Sequence, residues 1–432
     1  MSSFNRNPTG KNQYIHDEEH ENKVAAALKR YHRQGVTNYG KLSKLLAAEH
    51  GLTMKPRTVQ RRLSALGLFA AKKTREKLTF EQAEQLVVSE LDNDPAQRAG
   101  VQTIKARVAM NADEILPKSL VAYIMHLHAP EGFAAREPTA KKIFRVPKYP
   151  VGSDQRWSGD GHDKLYKIGF PLYGYCDDAT AMGLQYRICP SNRYGKAVLY
   201  IWLDLVEDRG GMPVQTSTDC GAETTELCAT TMALRTAFHP GFDETDVEDE
   251  LPAHVYLKSV HNISIERSWL RLRLDVGDNC VFKFNEGIEK RWYVDKDADQ
   301  YELCQFLWSR IIQAEIDKSI NLRNVIKTRK QKEKPGPSGM SRHEAYVMPE
   351  EWGGKHCLLK IPRDFVHQMK EDLGGEALLE FTEPEFTARA MRVLDSLQPV
   401  QLSLQNGWKL FQTMLPLVFP ERNDFWDILK RA

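Results

Sequence analysis

Over residues 157–191 the periodicity of the chain changes from helical to strand-like, and this change limits the fold more than any other feature. The stretch "WSGDGHDKLYKIGFPLYGYCDDATAMGLQYRICPS" has aromatic and β-branched runs broken at Gly161, Gly169 and "DDATAMG", the pattern of a three-stranded meander. Helical spacing returns in "GKAVLYIWLDLVEDRG", with Val198, Ile201, Trp202 and Leu205 on the inward side. A short strand, "VQTSTDCG", and a second helix, "TTELCATTMALRTAF", come next. In residues 243–250 six of eight side chains are Asp or Glu, which reads as a surface loop. A last short strand and a helix in "NISIERSWLRLRLDVG" complete the order. Three strands, then helix, strand, helix, strand, helix predict an α/β layer protein with a mixed sheet.

The part before the sheet is helical. Residues 1–20 read as a disordered N-terminus. In residues 21–75, Val24, Ala27, Leu28 and Tyr31, then Leu42, Leu45 and Leu46, then Val59, Leu63 and Leu66 mark three helices punctuated by glycines, a helix-turn-helix pattern. The third helix presents Arg57, Thr58, Gln60 and Arg61 outward, residue types that contact phosphates and base edges from the major groove. A structural three-helix domain is the competing reading. Residues 76–130 predict a second helical unit, in which His126 and His128 point to different helix faces and are ordinary helix residues. Residues 131–156 read as a basic linker.

Charge divides the same way. Residues 1–150 carry 25 Lys and Arg against 15 Asp and Glu, whereas the remainder carries 35 against 43. A basic arm on a separate domain is what phosphate neutralisation asks of a nucleic-acid binder. The seven cysteines lack any C-x-x-C pair, which argues for reduced thiols and against a structural zinc. No apolar run approaches the roughly 20 residues that span a bilayer, and the polar start has no secretory pattern, so the expectation is no membrane. Residues 281–432 read as a helical C-terminal region with a basic segment at 323–339, suited to target DNA, nuclear import or a solvated loop.

Three acids stand at informative places in predicted elements: Asp160 in the first strand, Asp219 at the end of a later one, Glu266 near the start of the last helix. With the first strand central, the three are placed to converge and share two divalent cations, since clustered carboxylates supply the oxygen ligands that magnesium demands. Two such ions serve in-line phosphoryl transfer. Other acids compete. Asp163 follows His162 with strand alternation against it, Asp177 and Asp178 fit turn capping, and Glu223 fits a helix N-terminal charge. Asn262 and Arg267 are candidates to face the scissile phosphate. For Lys164, Arg267 and Arg271 a solvated surface charge is the alternative.

The segments "WSGDGHDKL", "STDCGAET" and "HNISIERSW", in this order, resemble the integrase core domain family of retroviral integrases and DDE transposases, notably the integrase-core proteins of fungal and other eukaryotic genomes. The resemblance covers residues 157–277 firmly. It implies an RNase H-like mixed-sheet catalytic core, residues 157–280, with Asp160, Asp219 and Glu266 as ligands of two Mg2+ or Mn2+ ions. It also implies cleavage and strand transfer on DNA in the nucleus by a homo-oligomer. Two departures stand against it: the interval from Asp219 to Glu266 is longer than is common in the family, and the retroviral zinc module is missing, since His16 and His20 have no C-x-x-C partner. A domesticated, catalytically silent DNA-binding regulator and an RNase H-like nuclease are the alternatives.

Overall fold

A computed structural model describes residues 18–95, 97–135, 149–242, 251–257, 262–332, 334–397 and 401–422. Two helical units come first, each around its own apolar cluster. Helices α1 (Glu18–Arg33), α2 (Tyr39–His50) and α3 (Pro56–Ala65) bury Val24, Leu28, Leu42, Leu45 and Val59. The Asn38 side chain caps α2 by accepting from the Lys41 amide at 3.0 Å, and Gly51 ends it in the left-handed region at φ 66°. Helices α4 (Phe80–Asp92), α5 (Val101–Ala112) and α6 (Lys118–His128) surround Val87, Ile104, Val108 and Ile124. The Arg33 guanidinium joins the units through both Asp113 oxygens, at 2.6 and 2.8 Å. In α6, His126 stacks on Phe133 and His128 bonds Glu84, so neither histidine is placed for a shared metal.

The sheet follows the order that the periodicity predicts. Strand β1 (Arg156–His162) is central; β2 (Leu172–Asp177) and β3 (Gly183–Ile188) extend it antiparallel on one side. On the other side β4 (Gln215–Thr218) and β5 (His254–Tyr256) run parallel, giving the order β3-β2-β1-β4-β5. A mixed sheet of this order, with helices on both faces, fits an RNase H-like α/β fold.

Both faces are covered. Trp157, Tyr173 and Tyr175 meet helix α7 (Gly195–Arg209) on one of them. On the other, Leu172, Cys176, Tyr186 and Ile188 meet helix α9 (Ile263–Leu272), which is preceded in the chain by α8 (Thr225–Phe238). Every residue of β2 is buried, as a strand between two helical layers requires.

The C-terminal region changes the sequence-based picture. After α10 (Asp278–Glu289), the long helix α11 (Ala298–Val325) crosses the sheet and shares one apolar cluster with β2, β3 and α9, so the cluster runs straight across residue 280. Helix α12 (Arg363–Leu373) lies on the outer side of α7, where Val366 joins the α7 cluster and Lys370 bonds Asp204 and Glu207 at 2.6 and 2.8 Å. Helix α7 is therefore buried on two sides instead of amphipathic. Helices α13 (Pro384–Ser396) and α14 (Gly407–Val418) close the far end against α11. Among the described residues no helix is long and apolar enough to cross a membrane. The acidic stretch 243–250 and most of the basic linker lie outside the described residues.

Candidate active site

The site begins with strand register. Arg156, Trp157 and Ser158 of β1 pair in parallel with Gln215, Thr216 and Ser217 of β4. Asp160 and Asp219 each follow two residues after the Ser158–Ser217 pair, so parallel pairing leads Asp160, near the end of β1, and Asp219, one residue past the end of β4, to one level. The turn beyond β4 is held by the Thr224 hydroxyl, which bonds the Asp219 and Gly221 carbonyls at 3.2 and 2.8 Å.

Helix α9 docks on this level through two hydrogen bonds. At its start, the buried Asn262 donates its side-chain amide to the Gly159 carbonyl at 3.1 Å. Two turns on, the Trp269 indole N–H donates to Asp160 Oδ2 at 2.8 Å. The indole reaches so far because Gly174 is the residue directly opposite Asp160; a Cβ there would fall 2.8 Å from the Trp269 ring. His162, on the same face of β1, stacks on the indole with centroids 4.9 Å apart and planes within 12°. Tyr186 packs on it as well, at 4.8 Å. On the opposite face, the Tyr175 ring fills the space where a Cβ on Gly159 would go. Gly159 and Gly174 are thus explained by aromatic rings, while a Cβ on Gly161 would meet the Asn192 amide at 3.0 Å.

These neighbours set the electrostatics. Burial first, then the carboxylates of Asp219 and Glu266, push the Asp160 carboxyl up to about 7, against the opposing hydrogen bonds from Trp269 and the Gly161 amide. Burial, with Lys164 beside it, pushes His162 down to about 4, leaving a neutral ring as the stacking partner. The charges of all three predicted acids therefore meet at Asp160. Glu266 is the exposed member, while Ile265, Ser268, Trp269 and Leu272 carry the packing of α9. The buried stripe of α9 thus falls on the residues either side of Glu266 and leaves its side chain at the surface of the helix.

Carboxylate oxygens with this mutual repulsion suit a hard divalent cation. One oxygen of Asp160 is committed to Trp269. Yet among the described residues no three His, Cys, Asp or Glu side chains are close enough to hold a metal ion. The donor set fits in chemistry, and its members have to draw together to close on an ion.

The remaining candidates divide clearly. Asn262 faces the strand and not the solvent, so it anchors the helix. Strand β1 ends at His162, and Asp163 accepts from the Asn192 amide at 2.7 Å instead of continuing the alternation. Asp177 is fully buried in its turn, accepting from the Asp154 and Thr180 amides at 2.9 and 2.8 Å. Asp178 accepts from Ser264 of α9. Glu223 sits in the 3-10 turn Ala222–Thr224 ahead of α8. Lys164, Arg267 and Arg271 are exposed. On α3, Arg57, Gln60 and Arg61 are exposed and Thr58 is half-buried. Residues 258–261 and His16 lie outside the described residues. Sequence reasoning missed Trp269, His162 and Gly174 as parts of the site. The available signals were spacings: His162 two residues from Asp160 on a strand, Trp269 three from Glu266 on a helix.

A family model described as "Integrase core domain" matches residues 143–340. That span is an integrase core domain. The matched span thus takes in all three acids, α9 and the whole of the long α11. A solved simian T-cell lymphotropic virus intasome in complex with PP2A regulatory subunit B56 gamma is similar at 12% identity and a TM-score of 0.28, over 56% of this chain and 70% of that one. No curated protein sequence matches the chain.

Proposed function

We propose that this chain is a DNA integrase or transposase, a polynucleotidyl transferase of the DDE type that cleaves a phosphodiester at an element's end and joins the freed end to target DNA in the nucleus. The observation that carries the reading is the meeting of the Asp219 and Glu266 charges on Asp160 inside an integrase core domain. Asp160, Asp219 and Glu266 would hold two Mg2+ or Mn2+ ions, which supply activation of the attacking oxygen and stabilisation of the leaving one. Trp269 fixes one Asp160 oxygen and leaves the other available, Asn262 sets where α9 begins, and Arg267 lies beside Glu266 to neutralise phosphate. In the first step a water oxygen bonds to phosphorus, the bond to the 3′ oxygen breaks and a water proton passes to that oxygen. In the second the freed 3′ oxygen bonds to a target phosphorus, the bond from that phosphorus to the target's own 3′ oxygen breaks, and the proton of the attacking hydroxyl goes to the released target 3′ oxygen. Arg57, Thr58, Gln60 and Arg61 of α3 would read DNA, and assembly as a homo-oligomer would bring two ends together.

The test is metal-dependent joining of a labelled DNA end to plasmid. Asp160→Asn, Asp219→Asn and Glu266→Gln are each expected to abolish it, and undiminished joining in all three would sink the proposal. The separation of the carboxylates favours one second reading, a silent DNA-binding regulator. That reading predicts no change in melting temperature on adding Mg2+, whereas ligation of the folded state raises it. A nuclease on the same fold would cut RNA–DNA hybrids in the same assay.

A further inference from the structure

The exposed side of α9 leads away from Glu266 along Arg267 and Arg271, with Arg273 just beyond. Three further arginines from three different elements converge on this stretch. Arg107 of α5 donates to the Asp275 carbonyl at 3.1 Å, and Arg323 at the end of α11 donates to the Ser268 carbonyl at 3.1 Å. Arg342 donates in turn to the Arg323 carbonyl at 2.9 Å. Each of these bonds uses a backbone carbonyl, so the guanidinium charge is not cancelled by a carboxylate in them. A hairpin completes the seam: Lys327 bridges to Ser341, the Thr328 amide bonds the Met340 carbonyl, and exposed Lys327 and Lys334 lie on it.

The cations are close enough to feel one another. Burial and then Arg323 and Arg271 push Arg342 down to about 10; burial and then Arg267 and Arg342 lower Lys334; burial and then Lys327 and Lys118 lower Lys105. The carboxyl in their midst is Asp275, itself raised by burial. Like charges gathered from α5, α9, α11 and the hairpin cost free energy in the unliganded protein, and a row of phosphates removes that cost while releasing counterions.

We propose that this seam, from the exposed side of α9 through the 327–341 hairpin to α5, is a track for the phosphate backbone of a DNA strand leading to Glu266. It deepens the DNA-processing reading and rests on it. The experiment is fluorescence anisotropy of a labelled duplex with the full chain in EDTA, over a range of salt. Exposed Lys118 opens α6 and adds its charge to that of Lys105 at the α5 end of the seam. Replacing Lys118, together with exposed Lys327 and Lys334, by Gln should weaken binding at least tenfold at low salt and make the slope of log K against log[salt] shallower by about 2 to 3, near 0.9 per lost phosphate contact. The single variants should each remove about one such contact, so a triple variant that fails to fold leaves the singles to decide. Lys290→Gln, Lys355→Gln and Lys360→Gln, together on exposed sites elsewhere, should leave the slope as it was. An unchanged slope in the seam variants, or an equal change in the control, overturns the track, as does a wild-type chain with no salt-dependent binding. Because EDTA separates binding from joining, joining that survives loss of the three acids would overturn the catalytic reading while leaving a seam-dependent slope standing.

Discussion

At the scale of single residues, the bond between Trp269 and Asp160 decides how the site behaves. Trp269→Phe keeps a stacked ring over Gly174 but removes the donor, which should cost about 1–3 kcal/mol and reduce the rise in melting temperature produced by Mg2+. Calorimetric melts with and without the ion check this; an unaltered rise would show that the indole does not position the carboxylate. A second expectation concerns pH. Asp160 and the buried Asp177 both titrate near 7 in the folded chain, the first through burial and its acidic neighbours, the second through burial and Asp154. The unfolded chain releases these protons near the ordinary Asp value of about 3.9, so between there and about 7 the folded state binds more protons and stability falls as pH rises. Urea midpoints at pH 5.5 and 7.5 should therefore drop for the wild type and drop less for Asp160→Asn; equal drops would count against it. The acids were readable because residue type and position after strands are local facts. Trp269 was not, because its reach depends on a cross-strand register that sets a glycine opposite Asp160.

At the scale of elements, periodicity was enough to order the strands and helices of the sheet but not to say what covers them. Helix α7 reads as one-sided, with Val198, Ile201, Trp202 and Leu205 inward, yet Leu199, Tyr200 and Leu203 are buried too. Their partner, α12, arrives more than 150 residues later. A helix buried on two faces looks amphipathic when its second neighbour is remote, since nothing local marks the pairing. The measurable consequence is at Val366, which is 0% exposed against α7. Val366→Asp places a charge in that contact and should destabilise the sheet by about 3 kcal/mol or more, visible as a lower urea midpoint. A neutral result would mean that α12 is not part of the core layer.

At the scale of the whole molecule, the apolar cluster shared by β2, β3, α9, α11, α13 and α14 makes one cooperative body of the sheet and the C-terminal helices. A fragment of residues 150–280 would lack Phe306, Trp308, Trp408 and Phe411 and expose the face they cover, so circular dichroism should find it unfolded where a fragment of residues 150–422 melts cooperatively. Folding of the shorter piece would contradict the shared core. The boundary drawn near 280 from the sequence followed the end of the recognisable acidic motifs. Motifs mark chemistry, and a core is marked by which apolar faces meet, which a long helix such as α11 does not disclose by its own pattern.

The register that levels Asp160 with Asp219 has one more consequence. Two of the three acids follow directly on the paired segments of adjacent strands, and the third is brought in by a helix anchored at Asn262 and Trp269. No step in that placement depends on how much chain runs between Asp219 and Glu266. The interval has to hold α8 and β5, and beyond that its length reports the loops between those elements and not the geometry of the site.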